Sequence, residues 1–154
     1  MEREGGEIMI NENRVFMDVA AADKAEALKK ISELARACGA VADDQAYCQA
    51  LEKREDEFCT SMGNGIAIPH GVVKDVEDSA ILYVRFQQEI EWDAEEHEMA
   101  KVAIALVVPE EKKGNAHLDI LAGLARRLMH EDFVEKLLHC DDPKEIAEML
   151  GAES

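Results

Sequence analysis

The stretch Lys101–Val108, KVAIALVV, constrains this chain more than any other. It is uninterruptedly apolar from Val102 to Val108 and is closed by Pro109, far short of the roughly 20 residues that a membrane-spanning helix needs. A short apolar run of this kind predicts a strand covered on both faces. Such a strand requires a layer on each side, and the rest of the chain supplies them. Ser79–Gln88 alternates Ala80, Leu82, Val84 and Phe86 on one face, which predicts a neighbouring strand in the same sheet. Arg14–Ala20 alternates Val15, Met17 and Val19 and predicts a first strand. The charged segment between the two apolar strands, EIEWDAEEHEM, reads as a connection, with Trp92 as a packing anchor at the sheet edge.

Helical spacing accounts for most of the remainder. Asp23 precedes Lys24–Cys38, where Leu28, Ile31, Ala35 and Cys38 fall on one face, Glu26 completes a capping-box start and Gly39 supplies a stop. A second helix is predicted from Asp44 to about Arg54, capped by Asp43. After a polar loop at Glu110–Gly114, Asn115 opens a helix through Met129, followed by a shorter one from about Asp132 to His139. The last helix starts at Pro143 behind Asp142. The expected fold is α/β: a single domain over residues 1–154, with a mixed four- to five-stranded sheet and helices packed on both faces.

Acidic residues outnumber basic ones 34 to 17, a formal charge of −17, and such a field repels nucleic-acid backbones and anionic lipid. Four glutamates precede residue 13 and no apolar signal segment is present, so a cytoplasmic location without membrane insertion is expected. Cys38, Cys48, Cys59 and Cys140 are scattered without a CxxC pair and read as reduced, non-metal cysteines.

Chemistry concentrates in Phe58–Gly71, FCTSMGNGIAIPHG, expected to be a loop, a brief strand and a tight turn. His70 stands between Pro69, whose φ is fixed, and Gly71, which can turn the chain, so its ring is expected to be held rigidly at a surface. An imidazole with an ordinary pKa of about 6.5 has a neutral form near pH 7 whose lone pair can attack phosphorus or bind a metal, and both remain open on this residue alone. Gly63, Asn64 and Gly65 can expose successive backbone N–H groups as an anion-binding nest, although the same triplet serves as a hairpin-type turn. Arg54 can offer charge-assisted hydrogen bonds to phosphoryl oxygens or pair with a nearby glutamate. His117, in the first turn of its helix, is kept neutral by the helix dipole and can still donate one hydrogen bond. His97, His130 and His139 are assigned no role.

The string CTSMGNGIAIPHG, with Arg54-Glu55 just before it, resembles the STGIGNGIAIPH hallmark of the enzyme IIA domain of the bacterial phosphoenolpyruvate-dependent phosphotransferase system, in its fructose, mannitol and nitrogen branch. A second block, VVPEEKKGNAHLDILAGLARRL, is similar to the family segment in which a strand ends in proline and a second histidine begins an HL-x-x-L-A helix. The resemblance runs from about Asn11 to Leu150. Ser61 and Met62 depart from it, replacing the Gly-Ile before the GNG turn.

The resemblance implies a phosphotransferase component in which His70 is phosphorylated by the histidine-containing phosphocarrier protein and passes the group to a cysteine of enzyme IIB, with the membrane enzyme IIC served indirectly. It makes His117 the second histidine and Arg54 the flanking arginine, and it implies no metal and no organic cofactor. A phosphoryl group adds a charge of roughly −1.5 to −2 near pH 7. Arg54, the Gly63–Gly65 amides and His117 are the donors expected to converge on it. The fructose-type sugar role is expected ahead of a nitrogen-type regulatory role exerted through phosphorylation-dependent protein binding. An inactive sensor domain ranks below both, since His70, His117 and Arg54 are all present.

Overall fold

The computed structural model describes residues 10–74, 76–112 and 115–151, with the backbone alone at residues 112 and 115–118. Five strands form one mixed sheet: β1 (Val15–Val19), β2 (Gly65–Ala67), β3 (His70–Val73), β4 (Ala80–Asp93) and β5 (Glu98–Pro109). β4 and β5 are antiparallel at its centre, and β1 runs parallel to β4. On the other side of β5, β2 and β3 follow one another along the same edge, both parallel to it. Five helices accompany the sheet: α1 (Lys24–Ala37), α2 (Asp44–Glu57), α3 (Asn115–Arg127), α4 (Glu131–His139) and α5 (Pro143–Gly151). This is the expected α/β architecture with five strands.

The apolar run in β5 resolves into an alternation of size. Ala103, Ala105 and Val107 belong to the core under α1 and α2, where Leu28, Ile31, Tyr47 and Leu51 pack. Val102, Ile104 and Leu106 face the opposite core, built with Leu124, Leu137, Ile146 and Leu150 of α3, α4 and α5. Ala103 and Ala105 on the first face leave room for α1 and α2, whereas Val102, Ile104 and Leu106 fill the second. Leu124, Leu137 and Ile146 are wholly buried, and each contributes about 1.5 to 3 kcal/mol. Asp23 accepts the Glu26 N–H at 2.9 Å, and Asp43 accepts those of Gln45 and Ala46 at 3.0 and 3.1 Å. Caps of this kind contribute about 1 kcal/mol each.

One expectation is corrected. Glu89–Met99 is not a plain connection: β4 continues to Asp93 and β5 starts at Glu98, leaving a short turn between. Ile90 and Trp92 are buried while Glu89 and Glu91 are exposed, so the strand period persists through a charged sequence. Trp92 is the packing anchor expected, buried on β4 beyond the part that β1 pairs with and 6.4 Å from the Phe86 ring between centroids.

Candidate functional site

The outer strand is interrupted at Ile68 and Pro69. Proline has no N–H to donate, but its carbonyl accepts the Leu106 N–H at 2.9 Å, so the chain resumes at once beside β5 with His70 opposite Leu106. His70 therefore opens a strand and does not sit in a tight turn. Gly71 also has a different use from the one expected. A Cβ there would stand 2.9 Å from the Ala50 Cβ and 3.3 Å from the Leu51 nitrogen, so glycine is what lets α2 lie against β3. Strand alternation then places His70 on the face opposite Gly71.

His70 as a residue is 5% exposed, buried rather than presented at a surface. Its Nδ1 lies 2.9 Å from the Ile68 carbonyl oxygen, and its Nε2 accepts a hydrogen bond from Arg54 Nε at 3.0 Å. A carbonyl can only accept and a guanidinium can only donate, so both contacts select one tautomer, with the hydrogen on Nδ1 and the lone pair on Nε2. Arg54 is fixed in turn by donating from Nη1 to the Phe58 carbonyl at 2.7 Å, where the chain leaves α2. A guanidinium on the Nε2 lone pair repels a metal ion from that nitrogen, which favours the nucleophile of the two uses open to His70. Arg54 thus bonds the ring and the Phe58 carbonyl, which is neither of the two uses expected of it.

Beneath the site, the Tyr47 hydroxyl donates to the Leu106 carbonyl at 2.8 Å. Burial pushes this phenol far up, so it stays protonated and anchors the β5 residue that pairs with His70. No local pattern in the sequence marks the Tyr47 hydroxyl for this contact. The Ile68 carbonyl that selects the tautomer is a main-chain group with no residue-type signal.

Gly63, Asn64 and Gly65 are not brought to His70. Gly65 pairs with Ala100 and His70 with Leu106, so they stand at opposite ends of an extended five-residue stretch, roughly 17 Å apart. Gly63 and Gly65 take positive φ values of 81° and 90°. The Ser61 hydroxyl donates to Glu98 at 2.7 Å and accepts the Gly63 N–H at 3.3 Å, and a Cβ on Gly63 would meet the Glu98 carboxylate at 3.3 Å. The Asn64 amide donates to the Leu128 carbonyl at 3.4 Å. A carboxylate beside this turn opposes anion binding, so the expectation of a phosphoryl-binding nest is corrected: β2 carries the turn away from the ring. His117 falls in the first turn of α3, and its side chain lies outside the described residues. Among the described residues no helix is long and apolar enough to cross a membrane.

The family model described as "Phosphoenolpyruvate-dependent sugar phosphotransferase system, EIIA 2" matches residues 8–152. The chain is 35% identical over 137 residues to the fructose-specific EIIA component of Haloferax volcanii, covering 89% of this chain and 88% of that protein. It is 31% identical over 147 residues to the mannitol-specific enzyme IIA component of Staphylococcus aureus, covering 94% and 95%. Nitrogen regulatory protein IIA-Ntr from Neisseria meningitidis shares the fold with a TM-score of 0.81 at 23% identity, over 92% of this chain and 96% of that one. The mannitol IIA of Escherichia coli, solved in complex with phosphorylated mannitol IIB, aligns with a TM-score of 0.75 at 26% identity over the same shares.

Proposed function

We propose that this chain, which belongs to the EIIA 2 family of the phosphoenolpyruvate-dependent sugar phosphotransferase system, carries its phosphoryl group on His70 Nε2, taken from the histidine-containing phosphocarrier protein and passed to enzyme IIB. The observation that carries this reading is the tautomer: Nδ1 gives its hydrogen to Ile68 and Nε2 keeps its lone pair under Arg54.

In the accepting step the Nε2 lone pair attacks phosphorus, an N–P bond forms, and the donor's own N–P bond breaks with its electron pair returning to the donor imidazole. The Nδ1 proton stays on the ring, held by the Ile68 carbonyl. Arg54 begins on Nε2, so it must yield that nitrogen and follow the incoming charge, moving its donors onto the phosphoryl oxygens. In the second step a cysteine thiolate of enzyme IIB attacks phosphorus, the N–P bond breaks, and Arg54 recovers the lone pair. A guanidinium that binds Nε2 in one state and phosphate in the other stabilises neither resting state to excess, which a reversible relay requires. His117, placed by sequence at the start of the helix that follows β5, is assigned a supporting hydrogen bond to the group in transit.

The complex described for the mannitol IIA relative supports IIB as acceptor. Relatives above 30% identity named for fructose and for mannitol support a sugar role, with either of these sugars as the end acceptor. The test is reconstitution with phosphoenolpyruvate, the two general phosphotransfer proteins and fructose- and mannitol-type IIB domains, following phosphate onto each chain. One acid-labile phosphoryl group on the native protein and none on His70→Ala is the expected result. Label that survives acid, or that persists in His70→Ala, overturns the assignment.

A further inference from the structure

Next to Arg54 in α2, Glu55 carries a side chain only 4% exposed that the transfer chemistry above does not use. Its Oε1 accepts the Thr60 N–H at 3.2 Å and pairs with Lys24 Nζ at 2.7 Å, and its Oε2 accepts the Thr60 hydroxyl. Trp92 Nε1 donates to that same hydroxyl oxygen at 3.1 Å, and Lys24 Nζ lies 5.5 Å from the Trp92 ring centroid. Every donor and acceptor in this cluster points the right way: two donors of Thr60 meet two carboxylate oxygens, and the lysine balances the charge.

From Thr60 the hydrogen bonds continue to the site. The Thr60 carbonyl accepts the Ile68 N–H at 3.0 Å, the Ile68 carbonyl accepts the His70 Nδ1 hydrogen at 2.9 Å, and His70 Nε2 accepts from Arg54 at 3.0 Å. Arg54 and Glu55 are consecutive on one helix, so the chain of bonds closes on itself. Glu55 is where the two arms meet. One arm fixes the guanidinium through the helix backbone, and the other fixes the imidazole through Thr60 and Ile68.

We infer that Glu55 is a positioning residue for phosphoryl transfer, one that grips Thr60 through both carboxylate oxygens and so sets the distance between Arg54 and His70. The inference rests on the reading of His70 as the phosphoryl acceptor. A carboxylate serving only to staple the end of α2 to the following segment would stabilise the fold without being coupled to Arg54, and that difference is measurable. Glu55→Gln keeps the size of the side chain but has one accepting oxygen for two Thr60 donors, and it removes the partner charge of Lys24. Single-turnover phosphorylation by the phosphorylated carrier protein should slow about tenfold in Glu55→Gln, the usual effect of losing a hydrogen bond to a charged group. In an Arg54→Gln background the same change should slow transfer less than about twofold, because the group being positioned is gone.

A second readout needs no phosphate at all. Nitrogen-15 spectra of the His70 ring in the unphosphorylated protein should show hydrogen on Nδ1 alone in the native chain and a mixture of tautomers in Glu55→Gln. Thr60→Val, which keeps the shape and removes the hydroxyl, should move both readouts in the same direction, and thermal unfolding of each variant separates misfolding from uncoupling. Equal slowing by Glu55→Gln in the native and Arg54→Gln backgrounds, or an unchanged tautomer in both variants, overturns the inference. Failure of the native protein to accept phosphate would instead sink the functional reading, and the ring spectra would still decide the role of Glu55.

Discussion

The two ends of the outer strand lie five residues apart in sequence and serve opposite purposes. At the His70 end a guanidinium sits on a nitrogen lone pair, and a glycine without positive φ admits α2 against β3. At the Gly65 end two glycines adopt positive φ beside the Glu98 carboxylate, and Asn64 reaches toward the end of α3. One end sets a guanidinium on the proposed phosphoryl acceptor, and the other fixes where the strand begins. Under that proposal the continuous motif GNGIAIPH divides into a segment that sets register and a residue that carries chemistry.

The sharpest way to break this contrast is at His70, where His70→Ala should abolish acid-labile phosphorylation and, because a buried, hydrogen-bonded ring is lost, also lower the unfolding midpoint while the protein still folds. Arg54→Gln comes next. Hydrogen bonds to charged groups contribute about 1.5 to 3 kcal/mol, so single-turnover transfer should fall roughly ten- to a hundredfold. A rate within twofold of native would separate Arg54 from the site. Gly71→Ala should act through packing: its Cβ would overlap Ala50, and overpacking of this kind costs about 1 to 3 kcal/mol in stability, readable as a lower denaturant midpoint. Transfer should slow with it, since α2 carries Arg54. Gly63→Ala, at the far end, should cost about 1 kcal/mol for its left-handed backbone and leave the transfer rate unchanged. If Gly63→Ala slowed transfer as much as Arg54→Gln, the two ends would not be separate in function.

What the sequence revealed followed the range over which its signals act. Asp23, Asp43 and Asp142 announced their helices because a cap binds N–H groups two or three residues away. Val102–Val108 announced a central strand because burial on both faces needs an apolar residue at every position. The continuation of β4 to Asp93 was hidden, since Ile90 and Trp92 offer only two buried positions among acids. Arg54 and His70 were visible as residue types, but proximity in sequence drew Gly63–Gly65 into their site, and only strand register separates them. Glu55 and Thr60 stood within the resembling segment, but nothing local gave either of them a role. Their network is completed by Lys24 and Trp92, and no local pattern brings an α1 lysine and a β4 tryptophan to the end of α2.

The strand break at Pro69 also bears on how the protein behaves in concentrated solution. An outer strand with unused N–H and C=O groups is a template on which the backbone of another chain can pair. Here the Ile66 carbonyl is taken by the Met62 N–H at 2.8 Å, the Ile68 N–H is taken by Thr60, and Pro69 has none to offer. Along this stretch a foreign strand finds no continuous ladder to extend. A chain that meets this stretch must therefore engage it through side chains, a reversible kind of contact that strand pairing would replace with a persistent one.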